Sequence, residues 1–283
     1  LPLLYIFPYF YVIIINILSL ERKLPMKDKI YTIPVTDAFT EEGECPMCTL
    51  EKKLEDEYID YFLGPSLMEP DNRIETNDKG FCRRHFQLLY NRQENRLGLG
   101  LMVDSHLCEQ NSRLSKLYER KASSIRKDAE ASMFKNISNK ISSKQTETAK
   151  FIDELIQQLT GLESKCAICG KLDYTMDRYV DVILYLWFKE KDFKELFNSK
   201  KGFCLRHLRL LLEGVKKYLN PKEAAMFIDN LMPLQIKNME RLQQEVNWFT
   251  KKFDYRYNDA PWGNSKDALP RSIQKIVGLC DLK

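Results

Sequence analysis

Residues 45–48, Cys-Pro-Met-Cys, and residues 80–85, Gly-Phe-Cys-Arg-Arg-His, form a pair of motifs that this chain carries twice. The second copy consists of residues 166–169, Cys-Ala-Ile-Cys, and residues 202–207, Gly-Phe-Cys-Leu-Arg-His. The two motifs are separated by almost the same number of residues in both copies, and a lysine precedes both Gly-Phe-Cys sequences. Agreement in order, spacing and flanking residues indicates an internal duplication.

The two motifs of each copy together supply three thiolates and one imidazole, which is a ligand set that Zn²⁺ binds as a tetrahedron. The sequence therefore predicts two zinc ions per chain, one in each repeat. The predicted ligands of the first ion are Cys45, Cys48, Cys82 and His85. Those of the second are Cys166, Cys169, Cys204 and His207. With four protein ligands each ion has no open position for water, which is typical of structural zinc.

Three other interpretations of the cysteines remain open at this point. They are small residues buried near helix starts, a redox dithiol of the thioredoxin type, or ligands of an iron-sulfur cluster with three Cys and one His. A dithiol is disfavoured because no βαβ pattern surrounds residues 45–48 and because it requires no Cys-x-x-His partner. Without an export signal, the eight cysteines are expected to stay reduced.

Apolar residues recur at helical spacing after each Cys-x-x-Cys motif, which predicts an amphipathic helix in both repeats. In the second repeat they are Leu172, Met176, Tyr179, Val180, Ile183, Leu184 and Trp187. In the first, a helix is expected from about Thr49 to Leu63, followed by a return long enough to bring the two ligand pairs together. Asn220 followed by Pro221 predicts a helix start, and a short helix is expected near Pro270 to Val277, stopped by Gly278. The fold class is therefore mostly α, with two duplicated helical modules, each stapled by a Cys3His zinc site and joined by long helices.

Composition along the chain predicts five segments. Residues 1–25 are an apolar segment, expected to be a gene-start artefact or else a membrane anchor. Residues 26–106 form the first zinc-binding module, residues 107–160 a helical connector, residues 161–250 the second module and residues 251–283 a C-terminal clasp. Basic residues that follow the apolar segment would keep the remainder of the chain in the cytoplasm if that segment spanned a membrane. The predicted location is therefore cytoplasmic, with no membrane contact unless residues 1–20 are translated.

Several other groups are weaker candidates for function. The net charge of +4 is small, but residues 113–144 carry nine Lys or Arg against three acidic residues and suggest a possible contact with nucleic acid. A solvated helix face is the commoner explanation of such a segment. Carboxylate pairs one helical turn apart, Asp56 with Asp60 and Asp177 with Asp181, are expected on solvated faces. The remaining candidates are Phe253, Tyr255, Tyr257 and Trp262, expected to pack in the core, and His106, Cys108 and Cys280, expected to be packing or surface residues.

With these motifs, the chain resembles an uncharacterised bacterial family, the domain of unknown function 6062. The resemblance rests on the two Cys-x-x-Cys and Gly-Phe-Cys-x-x-His sets, on residues 26–29 and 33–39, and on Phe-Asp-Tyr-Arg at 253–256 with Pro-Trp-Gly at 261–263. It covers the chain from about Met26 to its end. The resemblance implies the fold and no particular activity.

The sequence thus favours a binding or interaction module for protein or nucleic acid, with structural zinc. A thiol redox switch and an enzyme that uses carboxylates are the alternatives. The chain has no Ser-His-Asp set, phosphate loop or dinucleotide fingerprint, and zinc sites without an open position disfavour metal-assisted hydrolysis. No catalytic residue is therefore predicted.

Overall fold

A computed structural model describes residues 30–134, 146–280 and 282. These residues form α-helices and short 3-10 helices, and no strand occurs among them. The α-helices are α1 (Thr32–Thr40), α2 (Pro46–Leu63), α3 (Pro70–Lys79), α4 (Arg83–Arg92), α5 (Arg96–Phe134), α6 (Glu147–Glu163), α7 (Ala167–Lys189), α8 (Lys191–Ser199), α9 (Leu205–Tyr218), α10 (Pro221–Lys251) and α11 (Ala268–Val277). The prediction of a mostly α fold is confirmed.

The chain divides into two compact units that are not consecutive in sequence. The first unit combines the chain up to Leu50 with the chain from Met176 onward, and the second is Glu51–Thr175. Both boundaries fall inside helices, α2 and α7. The five segments expected from composition have other boundaries, because each structural unit takes residues from both repeats.

The first unit has an aromatic core. Phe39 of α1 lies against Phe193 and Phe197 of α8, with ring centroids 5.0 and 5.8 Å apart. Phe227 of α10 contacts Trp187 of α7 at 5.0 Å and Phe197 at 5.6 Å. All seven apolar residues predicted for the inner face of α7 are buried, since the helix is amphipathic and is packed on that face.

The second unit is built around the helical hairpin of α5 and α6, together with α3, α4 and the C-terminal part of α2. Phe62 of α2 packs edge-on against Phe81 at 5.4 Å, and Phe81 packs against Phe86 of α4 at the same distance. These contacts place the phenylalanine of the first Gly-Phe-Cys motif in the core, beside the ligands that follow it.

The ends of the helices follow ordinary capping rules. The predicted start of α10 is confirmed, since Asn220 and Glu223 form a reciprocal capping box and Pro221 occupies the first turn. The helix predicted near Pro270 to Val277 is α11. Among the described helices, none combines the length and apolar composition needed to cross a bilayer. Residues 1–25 and part of residues 113–144, the basic segment, lie outside the described residues.

Candidate metal centres

The first cluster consists of Cys45, Cys48, Cys204 and His207, all buried in the first unit. Cys45 directly precedes α2 and Cys48 lies in its first turn, while Cys204 and His207 have the same positions at the start of α9. The imidazole Nδ1 of His207 lies 3.5, 3.4 and 3.2 Å from the Sγ atoms of Cys45, Cys48 and Cys204. The Sγ atoms of Cys48 and Cys204 are 3.7 Å apart.

The second cluster consists of Cys82, His85, Cys166 and Cys169 in the second unit. Here the Nδ1 atom of His85 lies 3.3, 3.2 and 3.4 Å from the Sγ atoms of Cys82, Cys166 and Cys169. The Sγ atoms of Cys82 and Cys169 are 3.8 Å apart. The four ligands again stand at the starts of two helices, α4 and α7.

The distances between ligand atoms match the edges of a zinc tetrahedron. Zn–S bonds of about 2.3 Å and Zn–N bonds of about 2.05 Å, at tetrahedral angles, separate two sulfurs by about 3.8 Å and a sulfur from a nitrogen by about 3.6 Å. The sulfur pairs measured in the two clusters are 3.7 and 3.8 Å apart, and the sulfur–nitrogen pairs are 3.2 to 3.5 Å apart. The donor set and its spacing therefore fit a single tetrahedral ion in each cluster.

The predicted grouping of the ligands by repeat is wrong. Each cluster takes its Cys-x-x-Cys motif from one repeat and its Cys-x-x-His motif from the other. The reason is the length of the helices between the motifs. α2 has 18 residues and α7 has 23, about 27 and 34 Å at 1.5 Å per residue. The segments that follow them contain α3 and α8, of 10 and 9 residues, which rise only about 15 and 13 Å. Each return therefore covers less distance than the extended chain that the prediction assumed.

Helix starts provide an environment that favours thiolates. The free backbone N–H groups and the positive end of the helix dipole stabilise negative charge at this position. The backbone N–H of His207 donates to Sγ of Cys204 at 3.4 Å, and that of Cys169 donates to Sγ of Cys166 at 3.5 Å. Two helix starts converge on each cluster. All six cysteines of the two clusters therefore lie at helix N-termini, where negative charge is stabilised.

The pKa values of the thiols within each cluster are shifted in opposite directions. Hydrogen bonding with Cys169 lowers the pKa of Cys166 to about 3, against the opposing effect of burial, and the neighbouring sulfur raises the pKa of Cys169. In the first cluster, hydrogen bonds from Cys45 and Cys48 lower the pKa of Cys204, while burial raises the pKa of Cys45. Three thiolates at this spacing repel one another, and a bound cation is the group that allows all three to ionise.

A buried carboxylate supports the second cluster. Glu55 of α2, with 4% of its surface exposed, has its Oε1 atom 3.2 Å from Nε2 of His85. Arg84 binds the same carboxylate through Nε and Nη2, both at 2.8 Å. Burial raises the pKa of Glu55, but the hydrogen bonds from His85 and Arg84 outweigh it and lower the pKa to about 2. A carboxylate on the distal nitrogen of a ligand histidine fixes the ring and its tautomer, as in many zinc sites.

A buried lysine supports the first cluster. Nζ of Lys275, on α11, donates to the backbone carbonyl of Glu44 at 2.8 Å and to that of Lys201 at 2.5 Å. Glu44 directly precedes Cys45, and Lys201 lies three residues before Cys204. Lys275 is 1% exposed, and burial lowers the pKa of its ammonium group, against the opposing effect of Glu44, Cys45 and Cys204. Its two hydrogen bonds join the two loops that carry the ligands.

The glycine of each Gly-Phe-Cys motif is required by its backbone and its surroundings. Gly80 and Gly202 have φ values of 59° and 76°. A Cβ on Gly202 would lie 2.6 Å from Oε1 of Gln235, and one on Gly80 would lie 2.7 Å from Cε1 of His106. The side-chain amide of Gln235 also binds both backbone groups of Phe203. These side chains therefore hold the loops that deliver Cys82 and Cys204.

The two clusters differ in solvent access. Each ligand of the first cluster is buried, and α11 lies against α9 and α10 in the same unit. In the second cluster Cys82 and Cys169 are half-buried. The second cluster is therefore the more accessible to solutes.

The weaker candidates do not gather into further sites. Asp60 pairs with Arg92 and Asp177 with Lys217, as expected for surface carboxylates. Asp181, however, is buried with 6% of its surface exposed, which corrects the expectation of a solvated face.

One histidine and two cysteines have no counterpart in the other repeat and lie outside both clusters. His106 lies within hydrogen-bonding distance, 2.9 Å, of the carbonyl of Asn77. Cys108 is exposed and Cys280 half-buried. The expected core packing of the tail aromatics is wrong for Phe253 and Tyr255, which are 77% and 85% exposed and lie in the turn and the 3-10 helix that follow α10.

Fold and site together define a helical protein with two Cys3His clusters, each shared between two sequence repeats. A model of the family of unknown function DUF6062 matches residues 26–283, and the chain belongs to this family. The resemblance noted in the sequence is thus confirmed. No curated protein and no solved structure matches the chain.

Proposed function

We propose that the protein binds two zinc ions, one in each cluster, as permanent structural centres of an interaction protein. The observation that carries the proposal is the pair of four-ligand sets in which all ligand atoms lie within 4.8 Å of one another. Three thiolates with one imidazole match the preference of zinc for mixed sulfur and nitrogen ligands.

The sulfur spacing supports a single ion over an iron-sulfur cluster. Thiolates that hold a polynuclear cluster bind separate iron atoms, so they stand farther apart than two ligands of one ion. Sulfur pairs at 3.7 and 3.8 Å are spaced for one metal ion. Two iron ions in place of zinc would satisfy the same geometry, and metal analysis distinguishes them.

A structural role follows from the completeness of the ligand sets. A catalytic zinc keeps one position open for water or substrate, whereas four protein ligands leave none. We therefore assign the ions to the stability of the two units, since burial of apolar surface and metal binding both favour the folded chain. Binding to a macromolecular partner remains the function that such a helical scaffold supports best.

A protein partner is favoured over nucleic acid by the described part of the basic segment. Arg113 pairs with Asp78 at 2.7 Å, and both Arg120 and Lys121 pair with Glu154, at 3.0 and 3.5 Å. These ion pairs reduce the positive potential that a phosphate backbone would require. Binding to single- or double-stranded nucleic acid that weakens steeply with salt would favour the alternative.

Metal analysis of protein purified without a metal-affinity tag tests the central proposal. We expect two zinc ions per chain by native mass spectrometry and by elemental analysis. Iron in equal amount would change the identity of the metal, and a folded chain with eight titratable thiols and no metal would refute the proposal. The latter result would favour the dithiol interpretation of the cysteines.

A further inference from the structure

The hairpin of α5 and α6 exposes an apolar face on the second unit. The helices pack antiparallel, with Tyr118 against Phe151 at a ring distance of 6.4 Å and Arg120 paired with Glu154. α6 is amphipathic, yet none of its residues is buried. Six large apolar residues on the hairpin are between 37% and 62% exposed: Leu107, Leu114 and Tyr118 of α5 with Ile152, Ile156 and Leu159 of α6.

Helical geometry places all six residues on one side of the hairpin. At 3.6 residues per turn, Ile152, Ile156 and Leu159 lie about 100° around α6 from Phe151, which contacts α5. On α5, Leu107, Leu114 and Tyr118 lie about 50° around the helix axis from the side that faces α6, and this angle has the same rotational sense as the angle on α6. The two helices run in opposite directions, so a rotation in the same sense away from their contact brings both rows of apolar residues to the same face of the hairpin.

This face carries few charged residues. Lys121 lies seven residues after Leu114 and therefore borders the α5 stripe, but it is 20% exposed and is paired with two glutamates of α6. Glu163 lies seven residues after Ile156 and continues the α6 stripe at the last residue of that helix. The other residues near the two stripes are small, neutral or apolar: Asn111, Ser115, Ala122, Ile125 and Ala129 on α5, and Ala149 and Thr160 on α6. In a chain of which 30% is charged, this is a low density of charge.

We propose that this face, the hairpin face, pairs with the hairpin face of a second copy of the chain to form a four-helix bundle around a twofold axis. A twofold interface sets a surface against itself, so like charges would oppose one another on a charged face. On the hairpin face that repulsion is small, because Lys121 is paired with glutamates of its own hairpin and Glu163 lies at the end of the face. The spacing of Ile152, Ile156 and Leu159, four and then three residues, is the spacing of side chains that interlock between packed helices.

The size of the hairpin face is adequate for a stable dimer. The 17 residues of α6 extend about 25 Å, and two adjacent helices about 10 Å wide give about 500 Å² in projection. Two such faces bury about 1,000 Å² in total by this projection, which reaches the lower limit of about 1,000 Å² for a specific interface.

Sedimentation equilibrium of the full chain over a range of concentrations tests the proposal. We expect a dimer whose dissociation constant rises at least about 100-fold in Ile156→Glu and in Leu114→Glu, because each carboxylate enters the twofold interface twice. Both side chains are exposed in the single chain, so helical circular dichroism and the melting temperature should change little.

Leu101→Glu is the matched control, since Leu101 is a 51% exposed leucine of α5 outside the hairpin face. It should leave the dissociation constant unchanged. A wild-type chain that remains monomeric at every concentration overturns the proposal. A dimer that survives both hairpin substitutions, or one that Leu101→Glu weakens equally, also overturns it. None of these results depends on the metal content of the two clusters.

Discussion

Double serine substitutions distinguish two groupings of the ligands. In the crossed grouping each cluster combines motifs from both repeats, and in the other grouping each cluster lies within one repeat. In Cys45→Ser with Cys204→Ser, the structure places both changes in the first cluster and leaves the second complete. In Cys45→Ser with Cys82→Ser, it places one change in each cluster. We therefore expect one tightly bound zinc in the first double variant and none in the second. A grouping by repeat predicts the reverse.

The size of the effect follows from the energetics of zinc binding. Structural zinc binds with about 10–16 kcal/mol, so one of four ligands carries about 2.5–4 kcal/mol when the energy is shared equally. Loss of one ligand should then weaken binding about 10²- to 10³-fold, and loss of two about 10⁴- to 10⁶-fold. The second double variant thus keeps two weak sites, while the first keeps one site of full affinity.

Native mass spectrometry after dialysis against a chelator of intermediate affinity measures this difference. The control is Cys108→Ser with Cys280→Ser, two cysteines outside both clusters, which should retain two zinc ions. Full-affinity binding of one zinc by the variant with Cys45 and Cys82 replaced, and of none by the variant with Cys45 and Cys204 replaced, would refute the crossed grouping.

Three further substitutions and treatments test the surroundings of the clusters. Glu55→Gln should lower the zinc affinity of the second cluster about 10- to 100-fold, because His85 loses its charged acceptor, while Glu57→Gln on the exposed side of α2 should have no effect in a competition titration. Lys275→Met should lower the free energy of unfolding in urea by about 1–3 kcal/mol, because the carbonyls of Glu44 and Lys201 lose their buried donor. The control is the exposed Lys266→Met, and an equal loss of stability in that variant would contradict the prediction. A chelator should remove zinc in two phases, the faster one from the second cluster with its half-buried cysteines, and a single phase for both ions would argue against a difference in access.

Periodicity and cap residues were enough to predict several of the helices. The buried stripe of α7, the start of α10 and the helix near the C-terminus are local features, and apolar spacing or cap residues specify each of them. The identity of the candidate ligands is local in the same sense. A Cys-x-x-Cys or Cys-x-x-His motif brings its own two donors together within one helical turn, whatever the rest of the chain does.

The pairing of motifs depends on residues far apart in the chain. It is not predictable from the sequence because the same two motifs occur twice. Both repeats carry the same two motifs, so any Cys-x-x-Cys can complete either Cys-x-x-His and the sequence does not distinguish the combinations. The structure decides between them through the lengths of the helices that lie between the motifs, α2 and α3 in the first repeat and α7 and α8 in the second. Such lengths depend on where each helix ends, the least predictable feature of a sequence.

Glu55 was also beyond prediction from the repeat. Seven residues after the last cysteine of each Cys-x-x-Cys motif, the first repeat has Glu55 and the second has Met176. The one signal in the sequence was the arginine that precedes each ligand histidine, since a repeated cation beside a predicted ligand calls for a carboxylate partner. Arg84 has this role, through its two hydrogen bonds to Glu55.

The crossed clusters make folding of the two repeats interdependent. Each repeat supplies one half of each cluster, so a fragment with one repeat alone would carry two half-sites from different clusters and neither cluster complete. The second cluster joins Cys82 to Cys169 across 87 positions, and the first joins Cys48 to Cys204 across 156 positions. Loop-closure entropy rises only slowly with length, so the longer connection costs little more than the shorter one. Metal bound at both clusters would therefore tie the stability of each unit to residues from both repeats, which a pair of independent modules would not do.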